Sequence, residues 1–155
     1  MRKVLAFLTF ALALVLTACS YATNFVVVNA TDRPVELRYK VKDSPRDPLE
    51  MAGAPKKTAA KKLRDGDSDW RLLAPGEYAL DAAARTVTVR LMPGEAVLVT
   101  RLTNYRGHDN SARAGAYAIE EIHLDGAGGA VKLRGEEART GFVKQSDNLY
   151  TLTYK

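Results

Sequence analysis

Apolar and polar residues alternate with a period of two along much of the chain. Val35, Leu37, Tyr39 and Val41 interleave with Glu36, Arg38, Lys40 and Lys42, a strand with one apolar and one wet face. Val87, Val89 and Leu91 alternate with Thr86, Thr88 and Arg90; Ile122 and Leu124 with Glu121 and His123; Tyr150, Leu152 and Tyr154 close the chain in the same rhythm. Residues 25–28 are instead a continuous apolar, β-branched run, the signature of a strand buried on both faces. Residues 96–102, 130–133 and 141–144 complete a set of about eight short strands. The punctuation fits: residues 29–32 (Asn-Ala-Thr-Asp), Pro93-Gly94 and the glycine-rich 125–129 are turn chemistry. The first of these turns predicts a hairpin between 25–28 and 35–41. Pro93-Gly94 predicts that 96–102 pairs back on 86–91.

Only residues 58–63 suggest a helix, and that run is short. The pattern therefore predicts an all-β domain. An antiparallel β-sandwich, immunoglobulin-like in architecture, is the first solution and a small closed β-barrel the alternative. The Cys…Trp…Cys spacing of antibody domains is absent, so the likeness is one of architecture.

The N-terminus follows another rule. Arg2 and Lys3 precede an apolar stretch, 4–16, interrupted only by Thr9. Thirteen helical residues span about 20 Å, short of the roughly 30 Å of a bilayer core, so the stretch reads as a signal-peptide core. Leu16-Thr17-Ala18-Cys19 follows, and Cys19 is the chain's only cysteine. This tetrapeptide resembles the lipobox of bacterial lipoproteins. The resemblance covers residues 1–20 and implies removal of 1–18 and acylation of Cys19 on its sulfur and new amino group. Several acyl chains anchor durably where one anchors marginally. Ser20, where an Asp would signal retention, implies the periplasmic face of the outer membrane. Residues 19–24 then form the lipidated cysteine and a short tether, and 25–155 a single domain.

Composition narrows the chemistry. The chain has 155 residues, 46% hydrophobic and 26% charged, a globular balance. Its net charge of +5 falls to +3 without Arg2 and Lys3, too mild to argue for nucleic acid. A lone cysteine forms no internal disulfide and, if acylated, no nucleophile or metal ligand. Ser111, His108 and Asp109 are sequence neighbours rather than a relay, and no Gly-x-Ser-x-Gly elbow occurs. No catalytic residue, metal site or cofactor is assigned. His123 and Glu121, on one strand face, read as a solvent-facing pair.

Two stretches carry candidate binding residues. The longest interruption, 43–68, holds Lys56, Lys57, Lys61 and Lys62, a candidate contact for an anionic surface; yet 43–69 carries six positive and six negative residues, the balance of a self-paired surface. Tyr105, Arg106, His108, Asp109 and Asn110 follow a strong strand and form a candidate ligand-binding loop. Trp70 reads as a plug for the core or sandwich end, and Tyr39, Tyr150 and Tyr154 as packing residues. The sequence expectation is a non-enzymatic, membrane-anchored interaction or accessory module, its partners being the membrane and envelope proteins. The last strand, from Leu149, is an edge for assembly or the final core strand. The alternative is a small-ligand-binding lipoprotein, taking an envelope component or a carbohydrate.

Overall fold

A computed structural model describes residues 22–64, 68–103, 105 and 116–155. In chain order the elements are β1 (Ala22–Asn29), β2 (Val35–Val41), α1 (Pro48–Ala52), β3 (Lys56–Ala59), a 3-10 turn (Ala60–Lys62), β4 (Arg71–Leu72), β5 (Tyr78–Asp81) and β6 (Thr86–Leu91). Then come β7 (Glu95–Thr103), β8 (Ile119–Gly126), β9 (Gly129–Arg134), α2 (Glu137–Thr140), β10 (Val143–Ser146) and β11 (Leu149–Tyr154). One sheet runs β10-β11-β1-β7-β3-β4, the other β5-β6-β2-β8-β9. Neither closes, so the fold is the expected all-β sandwich and not a barrel.

The apolar run of β1 has both faces buried because it lies inside the larger sheet. Phe25 and Val27 point into the core with Leu37, Tyr39, Val89 and Val99. Val26 and Val28 point outward into a second cluster with Ala96, Leu98 and Leu149, roofed by Ala60, Leu63 and Trp70. Trp70 therefore covers the outer face of the six-stranded sheet instead of plugging the core. β2 keeps its alternation, Glu36, Arg38 and Lys40 remaining exposed.

Both predicted pairings across the first two turns are corrected. β1 pairs with β11 and β7, whereas β2 pairs with β6 and β8 in the opposite sheet. The turn between them is a corner built on Asn29, whose side chain is fully buried. Its amide Nδ2 donates to the Arg33 carbonyl (2.8 Å) and the Leu91 carbonyl (3.1 Å), while its Oδ1 accepts from the Thr31 N–H (3.0 Å) and hydroxyl (2.7 Å). Likewise β6 and β7 lie in different sheets. Gly94, at φ 70, donates its N–H to the Asn29 carbonyl at 3.0 Å, so the two corners brace each other. A turn motif fixes a reversal of direction; burial of the flanking strands decides whether they pair or cross. The glycine-rich turn does close a hairpin, β8–β9. A Cβ at Gly126 would come within 2.9 Å of Val35 Cγ2, so that position needs the space only glycine leaves.

One pairing is parallel, β1 with β11. The intervening domain supplies the long connection that parallel neighbours require. β11 is therefore interior, between β10 and β1, and not the edge proposed for assembly; the edges are β10, β4, β5 and β9.

The interruption at 43–68 is structured over its described part. Asp47 caps α1, its carboxylate accepting from the Leu49 N–H at 2.8 Å, with Pro48 at the first helical position. The helix expected over 58–63 is not one: Thr58 and Ala59 belong to β3, and only Ala60–Lys62 make a 3-10 turn. A run of under two helical turns nucleates poorly, and the side of β7 offers its backbone partners. Arg85, in the left-handed region at φ 55, ties the segment down by donating to the carbonyls of Lys42, Ser44 and Arg46, each at 2.9 Å.

Candidate functional site

The candidate residues that the structure describes lie apart: Tyr105 after β7, the lysines on and beside β3, and His123 on β8. The leader, Cys19 included, lies outside the described residues, as do Arg106, His108, Asp109 and Asn110. What the structure fixes is where their neighbours sit.

Tyr105 is the described member of the candidate loop, and it is wholly buried. The reason is an aromatic cluster centred on Phe25. Around its ring stand Tyr105, Tyr117 and Phe142 edge-on, with centroids at 5.2, 5.1 and 5.4 Å, and Tyr150 stacked at 5.3 Å. Edge-to-face and offset contacts match the positive rim of one ring to the negative face of another. The hydroxyls then need partners. Tyr117 donates to the Ala138 carbonyl at 2.6 Å, and Tyr105 accepts from Arg139 Nη1 at 2.9 Å. Arg139 is 5% exposed and also pairs with Glu136, which carries the charge out to solvent. Burial raises the Tyr105 phenol, opposed by the guanidinium that favours its anion; burial pushes Tyr117 well above the usual tyrosine range. At this end of the sandwich, ring packing and a buried cation fasten α2 over the gap between the sheets. Tyr105 belongs to that packing, not to a loop surface.

The four lysines are divided between two faces. On β3, Lys57 stands opposite Val97 of the inner face, whereas Lys56 stands opposite Leu98 of the outer face. Lys57 is drawn in: its side chain is 12% exposed, and its Nζ donates to the Glu95 carboxylate (2.7 Å) and the Arg90 carbonyl (2.5 Å), bridging the two sheets. Lys62 pairs with Asp69 at 2.9 Å. An open groove of about 450 Å³ runs between them, lined also by Thr58, Arg71 and Glu95. Two of the four cations are thus engaged with the chain's own carboxylates, Lys62 with one inside 43–69 and Lys57 with Glu95 outside it. Lys61 is exposed at the 3-10 turn.

Beside this groove Arg71 forms a two-pronged pair with Glu77 at 2.6 and 2.8 Å, and Glu77 also accepts from the Ala74 N–H. The guanidinium bonds, then the backbone N–H, pull Glu77 from 4.5 to about 2. The folded value is depressed, so its contribution is present above the unfolded value and is lost as pH falls from about 4.5 through about 2. A carboxyl NMR titration should find the Glu77 midpoint near 2, and Arg71→Ala should return it most of the way to 4.5. An unmoved midpoint would show that Arg71 does not set it.

His123 faces Arg38 on β2 and Lys132 on β9 across the sheet, and Glu121, two residues away, is held by Lys132 (3.0 Å) and Arg134 (2.6 Å). A histidine between two cations is a poor seat for a metal ion. No three metal-ligating side chains gather among the described residues. No local pattern in the chain singles out Arg139, Arg85 or Glu95. Each is an ordinary polar residue whose role comes from elements distant in the chain.

Comparison with protein-family models, with curated proteins and with solved structures finds no match in any of the three.

Proposed function

We propose that this protein is a lipoprotein of the bacterial cell envelope, anchored by acyl chains on Cys19 to the periplasmic face of the outer membrane, with a non-enzymatic interaction or accessory role. The observation that carries the reading is the leader: a basic start, an apolar core too short to span, and a lipobox-like tetrapeptide ending on the chain's only cysteine. Ser20 supports the outer-membrane address. The structure supports an interaction role through its edges. Among the described strands β9 and β10 stand last in their sheets, with Val131 37% and Val143 63% exposed, features by which a sheet accepts an added strand.

The small-ligand reading needs a cavity beside residue 105. The described residues there are packed ring against ring, so it draws no support from them.

The test is the mass of the native protein extracted from membranes. The expected product begins at Cys19 and carries a thioether-linked diacylglyceryl group and an amide-linked acyl chain. An unmodified polypeptide released by osmotic shock would overturn the proposal. Crosslinking in intact cells, followed by mass spectrometry, then identifies what the edges touch.

A further inference from the structure

We propose that two copies of this chain join edge to edge through β5, in one antiparallel register centred on Leu80, so that their five-stranded sheets form one continuous sheet. This pairing does not depend on the acyl anchor.

The four edges differ in how they are guarded. Natural sheets blunt an edge with lysine, other charges, proline or extreme shortness. β9 carries Lys132 and Arg134, β10 carries Lys144, and β4 has only two residues. β5, Tyr-Ala-Leu-Asp, holds no proline and no cation. Its Ala79, Leu80 and Asp81 are exposed, as are Ala82, Ala83 and Ala84 beyond it. Among the described residues the backbone of β5 bonds to β6 alone. Residues of an antiparallel ladder alternate in direction, so every second N–H and C=O of β5 points away from β6.

Parity and charge select the second copy and its register. Tyr78 and Leu80 stand opposite Val89 and Val87 on the buried face, whereas Ala79 and Asp81 stand opposite Thr88 and Thr86 on the wet face. Opposite residues of an antiparallel pair share a face, and a two-fold axis normal to the sheet keeps buried face beside buried face. The axis therefore falls where one residue meets itself, which leaves four registers. Centred on Asp81, two carboxylates oppose each other. Centred on Ala79, Glu77 opposes Asp81 twice. Centred on Tyr78, Leu80 and Asp81 oppose Gly76 and Pro75, where the strand has ended and proline has no N–H to give. Centred on Leu80, leucine meets leucine, Ala79 meets Asp81, and no like charges are opposed. The small Ala79 and Ala82 leave room for the approaching backbone.

Sedimentation velocity of the intact purified protein, in detergent when it is acylated, reads the association over a range of concentrations. The wild-type chain is expected to be a dimer in equilibrium with monomer. Leu80→Lys and Leu80→Glu each set two like charges against each other, and each should raise the dissociation constant roughly tenfold or more. An equal mixture of the two should recover the dimer, one chain of each kind, because opposite charges then meet at the axis. Val143→Lys, on the exposed β10 edge, should leave the dimer unchanged. A wild-type chain that stays monomeric at every concentration overturns the second copy as occupant. A mixture that stays monomeric, from chains whose thermal midpoints match the wild type, overturns the register. Dissociation by Val143→Lys and not by Leu80→Lys overturns β5 as the edge. None of these results touches the anchor, which is decided by the mass of the native protein.

Discussion

Phe25→Ala is expected to destabilise the domain by about 3–5 kcal/mol, the range for truncating a large buried ring. Phe25 has no exposed surface, and four aromatic rings surround it with centroids between 5.1 and 5.4 Å. Those rings come from the β7–β8 connection, the α2–β10 junction and β11, so collapse into the vacated space would have to move several elements at once. Two of them, Tyr105 and Tyr117, are further fixed by hydrogen bonds to Arg139 and Ala138. The cavity therefore relaxes little, which places the cost toward the upper end. Domains of this size are stable by about 5–15 kcal/mol, so the loss is a large fraction of the total. Urea unfolding of the purified domain measures it as a lower midpoint with an unchanged slope. A loss below about 1 kcal/mol would mean that the rings close over the gap, and that the cluster is not the hub described here.

The second large effect concerns location. On the proposed acylation of Cys19, residues 20–155 placed behind an ordinary cleavable secretory leader are expected to move from the membrane pellet almost completely into the osmotic-shock fraction. Each buried CH₂ of an acyl chain contributes about 0.8 kcal/mol, so losing several chains removes many orders of magnitude of membrane affinity. Nothing in the described fold replaces that. Lys57 and Lys62 are engaged with Glu95 and Asp69, and the apolar faces of β1 are covered by the opposite sheet and by Leu63 and Trp70. The thermal midpoint should stay within a few degrees of that of the acylated protein, because β1 and its partners are intact. A released variant that is also unfolded would point to a structural role for the leader. A folded variant still in the pellet would show that a protein surface, and not lipid, holds the domain.

Much of the strand content was legible because burial in a sheet writes itself as period two. β2, β6, β8 and β11 each have one wet or partly wet face and each was readable. β1 was readable for the opposite reason, an unbroken apolar run. β3, β4 and β5 were not: they are two to four residues long, half-exposed or exposed, and carry too few apolar positions to show a period. The helix expected over 58–63 failed because Ala and Lys favour a helix only weakly over so short a run, while the side of β7 offered backbone partners at once. The pairing errors share one cause. Asn29 and Gly94 look like hairpin residues, yet both build corners between sheets. The candidate loop was anticipated from polar composition, but Tyr105 was drawn inward by rings contributed from residues 25, 117, 142 and 150.

Sequence alone determined what depends on nearest neighbours in the chain: the alternation that makes strands, the turn residues and the equal numbers of opposite charges over 43–69. Only the tertiary structure decided which strands share a sheet, that β11 is interior beside β1, that Lys57 points inward, and that Arg139 is a buried cation. Those outcomes depend on which distant surfaces exclude water from one another, and no local pattern records the identity of a distant partner.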